Sequence, residues 1–230
     1  MRVLMALIFI LGGCTCDAND AYIGAEYLGV PYLNDPLGEG VPPDTDPLFR
    51  DDAFDCVTFV ETVLAGGDAG KLIQIRYRDG DVDFVNRNHF METDWLGNNS
   101  DLVENVSKLY GKTALRHIVI DKQNWFRAVH NIDVNVPVQA VDLEYIPYEN
   151  LGPIYPSEPM IVLFISGQDE KSDKIGTDLA VRHVGFLLAN GMLRHASSAN
   201  GRVMDTDFYK YAMARAENPS NLGIVVVQIK

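Results

Sequence analysis

The chain has 230 residues, enough for one domain with a sizeable hydrophobic core. Apolar residues make up 47% of it and charged residues 22%, as in ordinary soluble globular proteins. The net charge of −13 excludes the basic footprint of a nucleic-acid binder and disfavours electrostatic docking on anionic membranes. We therefore expect no nucleic-acid partner.

The N-terminus has the pattern of an export signal. Arg2 precedes an apolar run, residues 3–11, that is too short to span a bilayer as a helix. The run ends in Leu-Gly-Gly-Cys, which resembles a bacterial lipobox, where the chain is cut before the cysteine and the cysteine receives lipid. We predict that residues 1–19 are signal peptide and tether and that Cys14 is lipidated. The protein would then face the periplasm on a lipid anchor alone. A plain secretory signal or a buried structural element are the alternatives.

The first half of the globular part predicts helices and a hairpin. Residues 17–27 predict a short polar helix, and the proline-rich stretch 29–47 predicts loop. Residues 54–65 predict a helix, because valines recur at helical spacing and two glycines follow. Asp79-Gly80 predicts the turn of a hairpin within residues 72–90, on which Arg76 and Arg78 indicate a solvated face.

The second half is dominated by strands. Residues 101–109 predict a short helix, 114–121 a strand and 124–132 a helix. Four candidate strands then follow, namely PMIVLFIS, AVRHVGFLL, MLRHAS and LGIVVVQI, and the helix TDFYKYAMAR lies between the last two. This order predicts an α+β fold in which N-terminal helices pack on an antiparallel sheet, with the hairpin and helical segment inserted.

Cys56 is the only cysteine of the globular part, since Cys14 and Cys16 belong to the tether. A lone thiol is unusual in an exported protein, because free thiols oxidise outside the cytosol. Asp55 is a preferred N-cap residue, which places Cys56 at the first position of a helix. There the unpaired N–H groups would lower the pKa of the thiol, and the N–H of Cys56 would face a developing oxyanion. A buried structural cysteine is the alternative.

Two histidines have the context that a cysteine nucleophile requires, which is a base and a polar group that orients it. His183 begins one candidate strand and His195 ends the next. A three-residue loop at Ala189–Gly191 places both on one face of the sheet, with Gly185 between them, whereas a two-residue loop separates them. Glycine at position 191 suits the left-handed end of a three-residue loop, so we predict that loop.

Three stretches resemble the NlpC/p60 superfamily of papain-like cysteine peptidases and amidases, which act on bacterial cell wall. They are GVPY at 29–32, FDCVTFVE at 54–61 and HVGFLLANGMLRHAS at 183–197. The longer string DAFDCVTFVETVLA, with IRYRDG and NRNHF…DWL after it, is similar to the branch catalogued as domain of unknown function 1460. The resemblance implies a single papain-like catalytic domain at 20–230, with a family-specific insertion at about 70–155. It also implies that Cys56 is the nucleophile, His183 the base and His195 the residue that orients it.

The resemblance further implies an amidase that cuts the bond between N-acetylmuramic acid and L-alanine in small cell-wall fragments. A D,L-endopeptidase that cuts the D-Glu–diaminopimelate bond is one alternative. A non-catalytic peptidoglycan-binding lipoprotein is another, which the intact cysteine–histidine–histidine set disfavours. We expect a monomer that acts on muropeptides without a cofactor. We also expect no metal, because no His, Cys and carboxylate residues have ligand spacing.

Four further residues are candidates for oxyanion or substrate contacts. Tyr32 follows a proline that fixes an extended approach, and the resemblance places its hydroxyl near the nucleophile. Asp55 fits an N-cap better than a substrate contact. Arg87 and His89 follow the predicted hairpin, where a cation or a donor could grip a lactyl or sugar oxygen.

Overall fold

The computed structural model describes residues 23–168 and 170–230, and an antiparallel sheet of eight strands organises them. The predicted signal peptide, Cys14, Cys16 and most of the predicted helix at 17–27 lie outside the described residues. Within the described part, Ala25–Tyr27 forms a 3₁₀ turn. No helix there is long and apolar enough to cross a membrane.

Eight strands pair in the order β2-β3-β8-β4-β5-β6-β7, and β1 also pairs with β8. Every pairing is antiparallel. This confirms the α+β class. The strands are β1 (Val103–Asn105), β2 (Ala114–Ile120), β3 (Gln139–Pro147), β4 (Met160–Ser166), β5 (Val181–Leu187), β6 (Met192–Ser197), β7 (Arg202–Asp207) and β8 (Asn221–Ile229).

Short helices cover the sheet. Met91–Trp95 is a π-helical turn before α3, and Phe126–His130 is another after α4. Further 3₁₀ turns lie at Arg78–Gly80, Ser107–Leu109 and Tyr148–Asn150. The helices are α1 (Cys56–Leu64), α2 (Ala69–Arg76), α3 (Leu96–Asn98), α4 (Lys122–Trp125), α5 (Glu170–Ile175) and α6 (Phe208–Ala216).

Helices α1 and α6 pack on opposite faces of the sheet. Phe59 of α1 meets Phe186 of β5 with ring centroids 5.8 Å apart, in a core that also contains Val184. Phe208 of α6 packs with Phe164 in a second core on the other face. Because side chains alternate along a strand, β5 contributes to both cores.

The predicted hairpin at 72–90 is wrong. Leu72 and Ile75 are buried three residues apart on α2, so helical burial decides the local structure. The Asp79-Gly80 signal marks a 3₁₀ turn after that helix, in which Asp79 has a φ of 56°. Arg76 therefore lies at a helix end and is only 5% exposed, which also corrects the expected solvated face.

The predicted helix at 101–109 is also wrong. Val103 pairs with Ile229 as part of β1, and the buried Val106 donates its N–H to the Val226 carbonyl at 2.9 Å. Besides β1, two further strands, β3 and β7, were not predicted. The alternation of Val141, Leu143 and Tyr145 is a signal for β3, whereas β7 is short and polar.

Candidate active site

The hairpin β5–β6 brings the two histidines together. Nε2 of His183 lies 2.7 Å from Nδ1 of His195, within hydrogen-bond distance. The connection is the predicted loop Ala189–Gly191, and Gly191 has a φ of 78°. A Cβ atom at Gly185 would lie 2.9 Å from Cβ of His195, so glycine is needed for this close approach.

Cys56 is the first residue of α1 and is half-buried. The N-cap Asp55 forms a capping box with Thr58, whose N–H donates to the Asp55 carboxylate at 2.8 Å. The backbone N–H groups of Cys56, Val57 and Val184 hydrogen-bond the sulfur. Since Val184 follows His183 on β5, the thiol lies beside the strand position that carries the first histidine.

Burial shifts the pKa values of both the thiol and the imidazole. Burial raises the pKa of Cys56 to about 12, the charge of Asp55 adds to the rise, and the three N–H groups oppose it. The N–H groups at the helix start lower this pKa, as expected, but burial outweighs them. Burial also lowers the pKa of His183 well below its ordinary value, and His195 and Arg215 add to that decrease. Both shifts favour the neutral thiol and imidazole over an ion pair.

Tyr32 lies near Cys56. Its segment runs beside Phe54, whose N–H donates to the Pro31 carbonyl at 3.0 Å. Burial raises the pKa of Tyr32 to about 12, and the nearby Asp55 carboxylate adds to the rise. The phenol therefore keeps its proton and can donate a hydrogen bond at the site.

A cleft of about 530 Å³ opens beside the start of α1, where Asp55 and Val57 form one end of it. The exposed carboxylate of Asp35 also faces this cleft. Its far wall is rich in rings, which are those of Phe84, His89, Phe90, Trp125 and His130. The cleft is therefore aromatic and acidic.

Arg87 lines the cleft, but its guanidinium is already occupied. Its Nε donates to Glu39 at 2.9 Å, and its Nη2 donates to Glu39 at 2.7 Å and to Asp44 at 2.6 Å. Arg87 is 6% exposed. These bonds connect Arg87 to the loop that carries Glu39 and Asp44. The guanidinium is therefore not free to bind a substrate oxygen, contrary to the role expected from the sequence.

His89 also lies in the wall. Its Nε2 is 2.6 Å from the carbonyl of Phe84, so Nε2 carries the proton and Nδ1 is an acceptor. Its ring centroid is 4.8 Å from that of Trp125. Burial lowers the pKa of His89 well below its ordinary value, so this ring is a neutral part of the aromatic wall.

Comparison with known proteins identifies the family. The model of the AmiA-like family, described as N-acetylmuramoyl-L-alanine amidase-like, matches residues 22–218. The chain belongs to this family. The resemblance to domain of unknown function 1460 is thereby confirmed. Family membership makes the chain an amidase-like hydrolase of the kind that acts on peptidoglycan.

Two solved structures share the fold of this amidase-like chain. A DUF1460 protein from Legionella pneumophila str. Philadelphia 1 matches with a TM-score of 0.81 and 24% identity, over 92% of this chain and 88% of that chain. An N-acetylmuramoyl-L-alanine amidase from Bacteroides uniformis ATCC 8492 matches with a TM-score of 0.71 and 22% identity, over 92% of this chain and 99% of that one. No curated protein matches the chain in sequence.

The sequence analysis missed two residues that adjoin the site in this family member. Tyr211 of α6 packs against His195 with ring centroids 5.1 Å apart. Arg215 lies one helical turn later, and its Cζ is 5.8 Å from the centroid of the Tyr211 ring. Their i, i+4 spacing on the helix that follows the histidine strands was the available signal. Within residues 23–168 and 170–230, no three His, Cys, Asp or Glu side chains converge as metal ligands.

Proposed function

We propose that the protein is a cysteine amidase of the papain-like NlpC/p60 type that hydrolyses the N-acetylmuramoyl–L-alanine bond of cell-wall fragments. One observation carries this proposal. The hydrogen-bonded pair of His183 and His195 adjoins a half-buried cysteine at a helix start, where backbone N–H groups already point at the sulfur. A nucleophile, a base and an orienting group are the parts that acyl transfer needs.

The first step is attack by the Cys56 sulfur on the lactyl carbonyl carbon. Because the resting cysteine is a thiol, Nδ1 of His183 takes the S–H proton as the sulfur attacks. Nε2–H of His183 donates to Nδ1 of His195, which stabilises the imidazolium that forms. The N–H of Cys56, together with the hydroxyl of Tyr32, holds the oxyanion.

The second step releases the peptide. His183 returns its proton to the alanine nitrogen, the C–N bond breaks, and the lactyl group remains on Cys56 as a thioester. Water then attacks the thioester with His183 as base. The products are a peptide that begins with L-alanine and a sugar whose lactyl carboxylate is free.

The cleft favours this bond over the D-Glu–diaminopimelate bond. Its two arginines are paired, Arg76 with Glu61 at 2.8 Å and Arg87 with Glu39 and Asp44. The lactyl carboxyl of muramic acid is consumed in the amide, so that acyl side is neutral, and a sugar ring packs well on aromatic side chains. A D-glutamyl acyl group carries a free carboxylate, which an acidic cleft repels.

The test is digestion of N-acetylmuramoyl-L-alanyl-D-isoglutamine and of the sugar-free tripeptide L-alanyl-γ-D-glutamyl-diaminopimelate, with products identified by mass. We expect free L-alanyl-D-isoglutamine from the first substrate and no cleavage of the second. Cys56→Ala and His183→Ala should each lose at least about 10³-fold in activity. His117→Ala is the matched control, since His117 is 66% exposed and paired with Asp142 on the sheet edge.

Release of diaminopimelate from the tripeptide would instead establish the endopeptidase. Binding of the muropeptide by the folded protein without cleavage would establish the non-catalytic binder. Equal activity in wild type and Cys56→Ala would exclude the thioester mechanism whichever bond is cut.

We also propose that the protein is exported and held on a bacterial membrane by lipid on Cys14. The lipobox-like sequence before Cys14 supports this. Wild type should fractionate with membranes, and Cys14→Ala should lose the added mass of the lipid. An unmodified Cys14 in the membrane fraction would contradict the anchor.

A further inference from the structure

Helix α6 holds a cation beneath the histidine pair. The ring of Tyr211 is 5.1 Å from that of His195 and 5.8 Å from that of His183, measured between centroids. Cζ of Arg215 lies 5.8 Å from the Tyr211 centroid and 5.2 Å from that of Phe164. The Phe164 ring is in turn 5.7 Å from His183. One aromatic ring therefore separates the guanidinium from each histidine.

The guanidinium of Arg215 lies against the rings of Phe164 and Tyr211. Its Nε is buried and has no hydrogen-bond partner among the described residues. Aromatic faces attract a cation without cancelling its charge, so the field of the guanidinium reaches the histidines.

The chemistry of the pair requires His195 to be unprotonated at Nδ1. Only then can Nε2–H of His183 donate to it and leave Nδ1 of His183 free to take the thiol proton. A proton on Nδ1 of His195 would reverse this hydrogen bond. His183 would then carry its own proton on Nδ1, facing away from its partner, and could not act as a base.

We infer that Arg215 is a positioning residue that disfavours protonation of His195 and so keeps His183 in the tautomer that accepts the thiol proton. This role rests on the proposed function of the pair. Arg215 touches neither the reacting bond nor the nucleophile, and it acts through its charge on the histidines.

Other charged groups around the pair act in both directions. Burial lowers the pKa of His195 to about 4, Asp205 of β7 raises it, and Arg215 lowers it. Asp205 is itself bound by Arg194, with both of its oxygens at 2.8 Å. From the side of α1 the titratable neighbours are Cys56 and Asp55, and from the N-terminal segment Tyr32.

The experiment is an NMR titration of the full-length protein with ¹³C-labelled histidine, from pH 8 down to about pH 2.5, below the His195 pKa of about 4. Wild type is compared with Arg215→Met, which keeps a long apolar stem, and with Arg215→Lys, which keeps the charge. We expect the His195 midpoint to rise by roughly one pH unit in the Met variant, because a like charge has been removed. The His195 midpoint in the Lys variant should stay near that of wild type.

The acid limb of kcat/KM on N-acetylmuramoyl-L-alanyl-D-isoglutamine should move to higher pH with that midpoint. An unmoved His195 midpoint in Arg215→Met, or an equal shift in Arg215→Lys, would overturn the role of Arg215. A shifted midpoint in a protein that cleaves nothing would keep the effect of the charge and refute the amidase instead. If the Met variant does not fold, Arg215→Gln provides the same comparison.

Discussion

The histidine pair and the far wall of the cleft are held in place by different means. His183 and His195 lie on adjacent strands, and their contact follows from the register of one hairpin. Arg76 and Arg87 instead bind carboxylates that are 15 and 48 residues away in the chain. Strand periodicity determines the half of the site that contains the histidine pair, and buried ion pairs of long sequence separation determine the other half.

The two halves also differ in how strongly the position of a side chain depends on a single partner residue. A histidine on a strand keeps its place if the sheet forms, because neighbouring backbone hydrogen bonds fix its direction. A buried arginine keeps its place only while its carboxylate partner is present, since an unpaired buried charge is strongly unfavourable. The cleft wall should therefore be the more fragile half.

The largest effect is expected from Arg76→Met, which leaves Glu61 buried and unpaired at 1% exposure. The free energy of unfolding should fall by about 3–5 kcal/mol, measured by urea denaturation. Arg78→Met is the control, because Arg78 is exposed two residues further on, and it should change stability by less than about 0.5 kcal/mol. Similar losses of unfolding free energy in Arg76→Met and Arg78→Met would show that the buried Arg76–Glu61 pair does not stabilise the cleft wall.

A smaller effect is expected in the histidine half from Gly185→Ala. The new Cβ would lie 2.8 Å from the Arg194 carbonyl and 2.9 Å from Cβ of His195, so the hairpin must shift. The free energy of unfolding should fall by about 1–3 kcal/mol. Activity should fall by more than the loss of folded protein accounts for. Gly97→Ala has open space at its Cβ and should be neutral or gain up to about 1 kcal/mol. Unchanged activity in Gly185→Ala would mean that the close approach is not required.

The smallest effect is expected at the N-cap of α1. Asp55→Asn keeps the cap but removes a negative charge that raises the pKa of Cys56, so that pKa should fall. A decrease of roughly half a unit would speed alkylation of Cys56 by iodoacetamide at pH 9 by about threefold. Asp68→Asn makes the same change at the N-cap of α2 and should leave the alkylation rate of Cys56 unchanged from wild type. A slower reaction in Asp55→Asn would contradict the sign of this effect.

The features of the site that could be predicted from the sequence are those with local sequence signals. The alternation along β5 and β6 and the glycine at 191 were enough to bring His183 and His195 together. The N-cap residue type placed Cys56 at the first position of α1. These features depend on residues that are close in the sequence, so they can be predicted from the sequence alone.

The unpredicted part depends on contacts that the chain makes across long separations. The role of Arg87 depends on Glu39, and nothing in an acidic, proline-rich loop indicates which carboxylate meets which arginine. The pKa of Cys56 depends on total burial, which outweighed the helix-start N–H groups that the sequence did reveal. The Asp79-Gly80 signal was read correctly as a turn, but it follows a helix whose burial comes from the whole fold.

The raised pKa of Cys56 also affects how long its thiol stays unmodified before a substrate binds. Oxidants and alkylating agents attack the thiolate, and burial that raises the pKa of Cys56 to about 12 keeps the thiol protonated at pH 7. The resting cysteine is thus chemically quiet. In the proposed mechanism, the sulfur reacts only when a bound acyl group lets attack and proton transfer to His183 occur together. Cys56, which forms no disulfide with any described residue, is thereby protected from oxidation.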